Sequence, residues 1–126
     1  MIIGLGVDIV EIGRIERLIT AYDDHFLDKV YTAAEKRHCL QKAHPAIHFS
    51  GRWASKEAFY KALPVDIQPL ANWKSIEIIS TEGTLKPILV VCNQRLEKKM
   101  QDRGVTQKLV SISHERKQCI ATVIIA

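Results

Sequence analysis

An α+β fold, a largely antiparallel sheet with one long helix packed on it, is what this sequence predicts. Three observations carry the expectation: strand-like alternation at the amino terminus, a stripe of small residues at helical spacing over 45–63, and two hairpin patterns in the second half. At 126 residues the chain has room for about one domain, so a single domain spanning 1–126 is expected.

The elements follow in order. Residues 2–12 alternate, with Ile3, Leu5, Val7 and Ile9 on one face and Ile2, Gly4, Gly6, Asp8 and Val10 on the other, which predicts a strand. Asp8 therefore shares a face with two glycines. Ile15, Leu18, Ile19 and Tyr22 then recur at helical spacing. Thr32 and Glu35 form a capping-box signature for a helix that runs towards His44 and stops at Pro45. Over 45–63 the pattern is helical again: Ile47, Gly51, Ala54, Ala58 and Ala62 share a face, flanked by Phe49, Trp53, Tyr60 and Leu63. The small residues would let this helix approach its neighbour closely. Residues 63–72, with Pro64 and Pro69, read as a linker between two halves of the domain. Residues 75–80 and 86–91 bracket the turn Thr81-Glu82-Gly83-Thr84 as a hairpin. A helix over 93–103 is closed by Gly104, and 108–114 with 118–125 form a second hairpin.

Composition excludes several classes. With 47% hydrophobic and 25% charged residues, disordered, collagen-like and disulfide-scaffold readings fail. The net charge of +4 favours an anionic partner, but acids and bases are interspersed: nine Lys/Arg against eight Asp/Glu in 1–63, nine against six in 64–126. This is a mild bias and not a nucleic-acid footprint. Cys39, Cys92 and Cys119 are odd in number and widely spaced, which points to reduced thiols in the cytoplasm and against a zinc clip. No signal peptide and no apolar run of membrane-spanning length is apparent.

Few residues could carry chemistry. Glu57 and Lys61 lie one helical turn apart in the order that favours a surface ion pair, yet they also sit on a helix whose packed opposite face makes it a rigid platform. Asp8 interrupts an apolar strand, so it either faces water from an edge strand or is paired or bound to a cation. Converging Asp8 and Glu57 would suit Mg²⁺, which takes one or two carboxylates together with substrate phosphates and water. Arg52 and Lys56 are either a solvated basic face or phosphate ligands. His114, at the end of a strand, is a structural hydrogen-bonder or a ligand-site residue, and Arg14 is a surface residue or a partner contact. Trp53, Phe49 and the methionines read as core.

Leu5-Gly6-Val7-Asp8 followed by Trp53-x-x-Lys56-Glu57-Ala58-x-x-Lys61 resembles the paired signature of the 4′-phosphopantetheinyl transferases. Further segments resemble the small holo-acyl-carrier-protein synthase branch: Gly6-Val7-Asp8-Ile9-Val10-Glu11-Ile12-x-Arg14-Ile15, Pro45-Ala46-x-His48-Phe49-x-Gly51-Arg52-Trp53-Ala54, and Ser111-x-Ser113-His114-Glu115. The resemblance spans nearly the whole chain. It departs from the family only in Tyr31, where Phe is common, and in Ser50 and Ser55, where Ala is common.

The resemblance implies the phosphopantetheinyl transferase fold and transfer of 4′-phosphopantetheine from coenzyme A to a serine of apo-acyl carrier protein, in support of fatty acid biosynthesis. It implies Asp8 and Glu57 as Mg²⁺ ligands, Glu57 as general base, and Lys61 as the group that stabilises or protonates the leaving phosphate. Arg52, Lys56, Lys61 and His114 would meet coenzyme A, with His114 reached across a subunit interface. Arg14 would grip the acidic recognition helix of the carrier protein. A homotrimer with active sites between subunits is implied, with residues 88–91 and 120–125 as apolar interface material or else core. Two rivals remain: a binding-only module for acidic protein or other anions, and a phosphate-ester hydrolase.

Overall fold

A computed structural model describes residues 1–80 and 86–126, which leaves the predicted turn at 81–84 outside the described residues. Its elements are β1 (Gly4–Glu11), α1 (Ile12–Tyr22), α2 (Asp24–Val30), α3 (Ala33–Leu40), α4 (Pro45–Ala62), short 3₁₀ turns at Gln68–Leu70 and Trp73–Ser75, β2 (Ile76–Ser80), β3 (Pro87–Val91), α5 (Gln94–Asp102), β4 (Lys108–His114) and β5 (Gln118–Ile125).

The strands form two antiparallel sheets, one of order β1-β5-β4 and one of β2 with β3. The expected sheet is thus divided: β3 packs beside β4, but their backbones do not form a ladder. Within the larger sheet Asp8 stands opposite Ala121, and His114 opposite Cys119.

Helix α4 lies across the larger sheet, against β1, β5 and β4. Alternation along β1 left open which face is covered, and the glycine face is the one. A Cβ built on Gly6 would overlap the Ala58 carbonyl oxygen, and one on Gly4 that of Ala62. Glycine on the strand and alanine on the helix therefore bring two backbones together where side chains usually keep them about 10 Å apart. The apolar row Leu5, Val7 and Ile9 faces outward and is exposed, together with Leu109 and Ile120.

Local sequence explains the remaining boundaries. Thr32 and Glu35 close both hydrogen bonds of a capping box on α3. That helix ends at Leu40, short of His44, because residues 41–44 are exposed and nothing packs against a further turn. His44 and Leu63 each precede a proline and are non-helical, which fixes both ends of α4. Helix α2, which the apolar spacing did not reveal, is entered through Asp23 at φ 46°, and it buries Phe26, Leu27 and Val30. Tyr22, expected on the packed face of α1, is exposed, while Ile12 and Ile15 are buried.

Candidate active site

The close crossing of β1 and α4 brings Asp8 and Glu57 together although 49 positions separate them in sequence. Asp8 belongs to the covered face and its side chain is only 15% exposed. One helical turn beyond Glu57, Lys61 reaches back to the strand: its Nζ lies 3.2 Å from Asp8 Oδ1 and donates to the Val7 carbonyl at 3.1 Å. Lys61 thus pairs with Asp8 and not with Glu57, contrary to the surface-pair alternative. Among the described residues Glu57 has no ion pair. Burial first, then the charge of Asp8, raise its carboxyl above the usual range, while Lys61 and Arg14 oppose that shift.

Two carboxylates side by side, with a single ammonium reaching Asp8, are a donor set with charge to spare for a divalent cation. The chemistry fits Mg²⁺, because hard carboxylate oxygens are its preferred protein ligands and two of them leave positions for phosphate and water. Among the described residues no group of three or more His, Cys, Asp or Glu forms a protein-only cage, so substrate oxygens would complete the shell.

Arg14 stacks over the Trp53 ring, its guanidinium carbon 5.6 Å from the centroid, and Trp53 in turn stacks on Trp73 at 4.3 Å. Arg14 also lines a surface groove with Arg17 and Glu11. Trp53 is therefore half-buried and carries a cation, while Phe49 is core as expected.

Lys56, expected at the phosphates of coenzyme A, is almost wholly buried, at the wall of a cavity it shares with Glu57. Its ammonium is buried 2.7 Å from Glu35 and donates to the carbonyls of Val30, Trp73 and Ile76. Glu35 in turn accepts from the Thr32 and Ile78 amides. A cation that has four acceptors inside the fold is a structural clasp, not a phosphate ligand. Arg52 is also buried, so the solvated-face alternative fails for it; its Nη2 lies 3.4 Å from Ser80 Oγ, and Nε has no hydrogen-bond partner among the described residues. His114 is exposed at the end of β4 and lines a cavity of about 270 Å³ with Ile9, Glu115 and Ile120.

A second cavity, of about 350 Å³, opens beside Glu57, with Tyr60, Ala71, Asn72 and Trp73 among its walls. Its lining is mostly apolar, which suits an uncharged organic segment. Sequence reasoning missed this wall because 63–72 reads as a linker; the signal present was Trp73 immediately after it.

Residues 4–121 match the family model of the 4′-phosphopantetheinyl transferase superfamily. The chain is 38% identical to a holo-(acyl-carrier-protein) synthase of Syntrophus aciditrophicus over 125 residues, which cover 99% of this chain and 96% of that one. A similar fold occurs in the holo-(acyl-carrier-protein) synthase of Neisseria meningitidis, with a TM-score of 0.84, 27% identity, and coverage of 100% of this chain and 99% of that one. Similar too is the Bacillus anthracis synthase solved in complex with CoA (3′,5′-ADP), with a TM-score of 0.78, 28% identity, and coverage of 99% and 96%.

Proposed function

The chain belongs to the 4′-phosphopantetheinyl transferase superfamily, and we propose on that footing that it transfers 4′-phosphopantetheine from coenzyme A to a serine of apo-acyl carrier protein. Adenosine 3′,5′-bisphosphate is the other product. The observation that carries this reading is the meeting of Asp8, Glu57 and Lys61 where β1 crosses α4. In phosphoryl transfer the protein contributes chiefly position and charge, and these three residues are suited to both.

Asp8 and Glu57 would hold Mg²⁺, which when bound neutralises charge on the pyrophosphate oxygens. Glu57 takes the proton of the serine hydroxyl, directly or through a water, as the serine oxygen bonds to the phosphorus that carries pantetheine and the bond to the adenosine bisphosphate oxygen breaks. Lys61 has one donor left beyond its two present partners, and that donor serves the leaving phosphate. Arg52 and His114 meet the phosphates of coenzyme A. Arg14, beside Glu57 and open to the surface groove, meets the acidic carrier protein.

The whole of 1–126 acts as one domain, assembled as a homotrimer with sites between subunits. The outward apolar row of β1, continued by Leu109 and Ile120, supports a covering by further copies. Among residues 88–91, by contrast, Leu89 is core and Ile88 and Val90 are exposed. Three free thiols suit a reducing cytoplasm, and the carrier protein so charged would serve fatty acid synthesis.

Incubation with coenzyme A, Mg²⁺ and apo-carrier protein, read by mass spectrometry, tests the reading. A phosphopantetheine adduct on a carrier serine is expected. Release of phosphopantetheine without carrier protein would indicate a hydrolase, and binding without product a non-catalytic module.

A further inference from the structure

The stack that runs from Arg14 through Trp53 to Trp73 joins two openings of the molecule. Arg14 is exposed and lines the surface groove, whereas Trp73 is a wall of the cavity beside Glu57. Trp53, half-buried between them, is itself held. Trp73 lies nearly parallel to it, with ring planes at 28°, and Phe26, a core residue of α2, meets it at 5.9 Å. Trp53 also precedes Glu57 by one turn of α4, so the two share a face of that helix.

Arg14 differs from the lysines of the same region in how it is anchored. Among the described residues no carboxylate pairs with it, although Glu11 lines the same groove. Its contact with Trp53 is through the ring, at 5.6 Å from the centroid. Stacking engages the face of a guanidinium, and the N–H donors lie in its plane, at the edge, where a carboxylate can be met bidentately. A long side chain that is already held also has less freedom to lose when it binds.

Resting on the assignment of Arg14 to the carrier protein, we propose that Trp53 is a positioning residue for carrier recognition: its ring, steadied by Trp73 and Phe26, holds the Arg14 guanidinium ready for a carboxylate of the carrier. The acidic surface of the carrier is thereby placed at a set position relative to Glu57, one turn further along the same helix. The ring itself touches neither substrate. It acts through Arg14, so its removal weakens docking of the carrier and leaves the chemical step and coenzyme A binding as they are.

Steady-state transfer by the full protein, with coenzyme A, Mg²⁺ and apo-carrier protein, tests this in Arg14→Ala, Trp53→Leu and the double variant. Trp53→Leu keeps apolar bulk but offers no ring face. It is expected to raise the KM for carrier protein by about three- to tenfold, with kcat and the KM for coenzyme A unchanged. In the Arg14→Ala background the same substitution should add little, because no guanidinium is left to hold. Trp53→Phe, with a smaller face, should recover most of the loss. Where Trp53→Leu does not fold, Trp53→Phe carries the same cycle, with a smaller rise when Arg14 is present and none when it is absent. An effect of Trp53→Leu that persists in full without Arg14, that falls on kcat, or that Trp53→Phe does not reduce would overturn the proposal. Arg14→Ala separates the two levels. If it leaves the KM for carrier protein unchanged, the carrier assignment fails and the proposal with it; if it raises that KM while Trp53→Leu does not, the assignment stands and Trp53 serves packing alone.

Discussion

Two lysines five residues apart on α4 each meet a carboxylate from another element. Lys56 and Glu35 are almost wholly buried, and every donor of the ammonium is engaged, by Glu35 and three backbone carbonyls. Lys61 and Asp8 meet at the surface of the β1 crossing: the lysine is 52% exposed, and two acceptors leave it one free donor. The first pair ties α3, β2 and the segment before β2 to α4, and it has no bonding capacity for a ligand. The second has both capacity and access. What separates a closed ion pair from one still open to a ligand within a single motif is therefore saturation of the donors, which residue type does not reveal.

The comparison breaks most readily at the open pair's neighbour. Glu57→Gln should lower transfer by about 10²–10⁴-fold, and Asp8→Ala, which would remove one of the two carboxylates proposed to hold Mg²⁺, should abolish it. Neither should shift stability much, since Glu57 has no ion pair among the described residues and Lys61, half exposed, can turn to solvent when Asp8 is removed. Steady-state transfer assays and thermal melts together check this, and near-normal transfer in either variant would remove the site assignment.

At the buried pair the pattern inverts. Glu35→Ala leaves the Lys56 charge without its counterion and should cost about 3–5 kcal/mol of stability in urea titrations. Replacing both, as Glu35→Leu with Lys56→Met, should recover much of that loss, and the folded fraction should retain a normal turnover number. A folded double variant with no turnover would move Lys56 into the reaction.

Gly6→Ala tests the crossing that both pairs depend on. Its methyl group meets backbone and not a movable side chain, so the strand must shift, at about 1–3 kcal/mol. Turnover should fall alongside stability as Asp8 moves away from Glu57; a variant as stable and active as wild type would contradict the contact.

The smallest effect is on titration. Because the Glu57 carboxyl is raised in the folded protein, the folded state binds more protons than the unfolded one between the ordinary and the raised value. The stability linked to this group is present below the ordinary carboxyl pKa and lost as pH rises through the raised one. Asp8→Asn removes the second cause and leaves the first, burial. Carboxyl NMR in the presence of chelator should therefore show Glu57 moving down yet staying above its ordinary value. No movement would mean that the carboxylates do not face one another.

Much of this architecture is legible in the chain, for reasons that vary by element. Both hairpins follow from period-two alternation with turns between, and residues 108–114 and 118–125 pair as that pattern predicts. The capping box and the two pre-proline residues mark helix ends through local sterics and hydrogen bonds, which neighbouring residues suffice to determine. Asp8 with Glu57 is legible only through the family signature, since spacing in sequence says nothing about a contact across 49 positions. Lys56 went unrecognised as a clasp because helical spacing places a residue on a face without saying what covers it. Its partners come from four other segments, two earlier and two later in the chain, and only the assembled fold joins them. Arg52, expected on a solvated face or at phosphate, is buried for the same reason.

The outward row of Leu5, Val7 and Ile9 also bears on how the protein behaves in solution. These side chains project from β1, an edge strand of its sheet, and an apolar edge is a template for strand addition when nothing shields it. Assembly that covers the row removes that hazard and draws the folding equilibrium along by mass action, so the melting temperature would climb with protomer concentration. Dilution then becomes a variable in every measurement on this chain, and overproduction without assembly a route to precipitation.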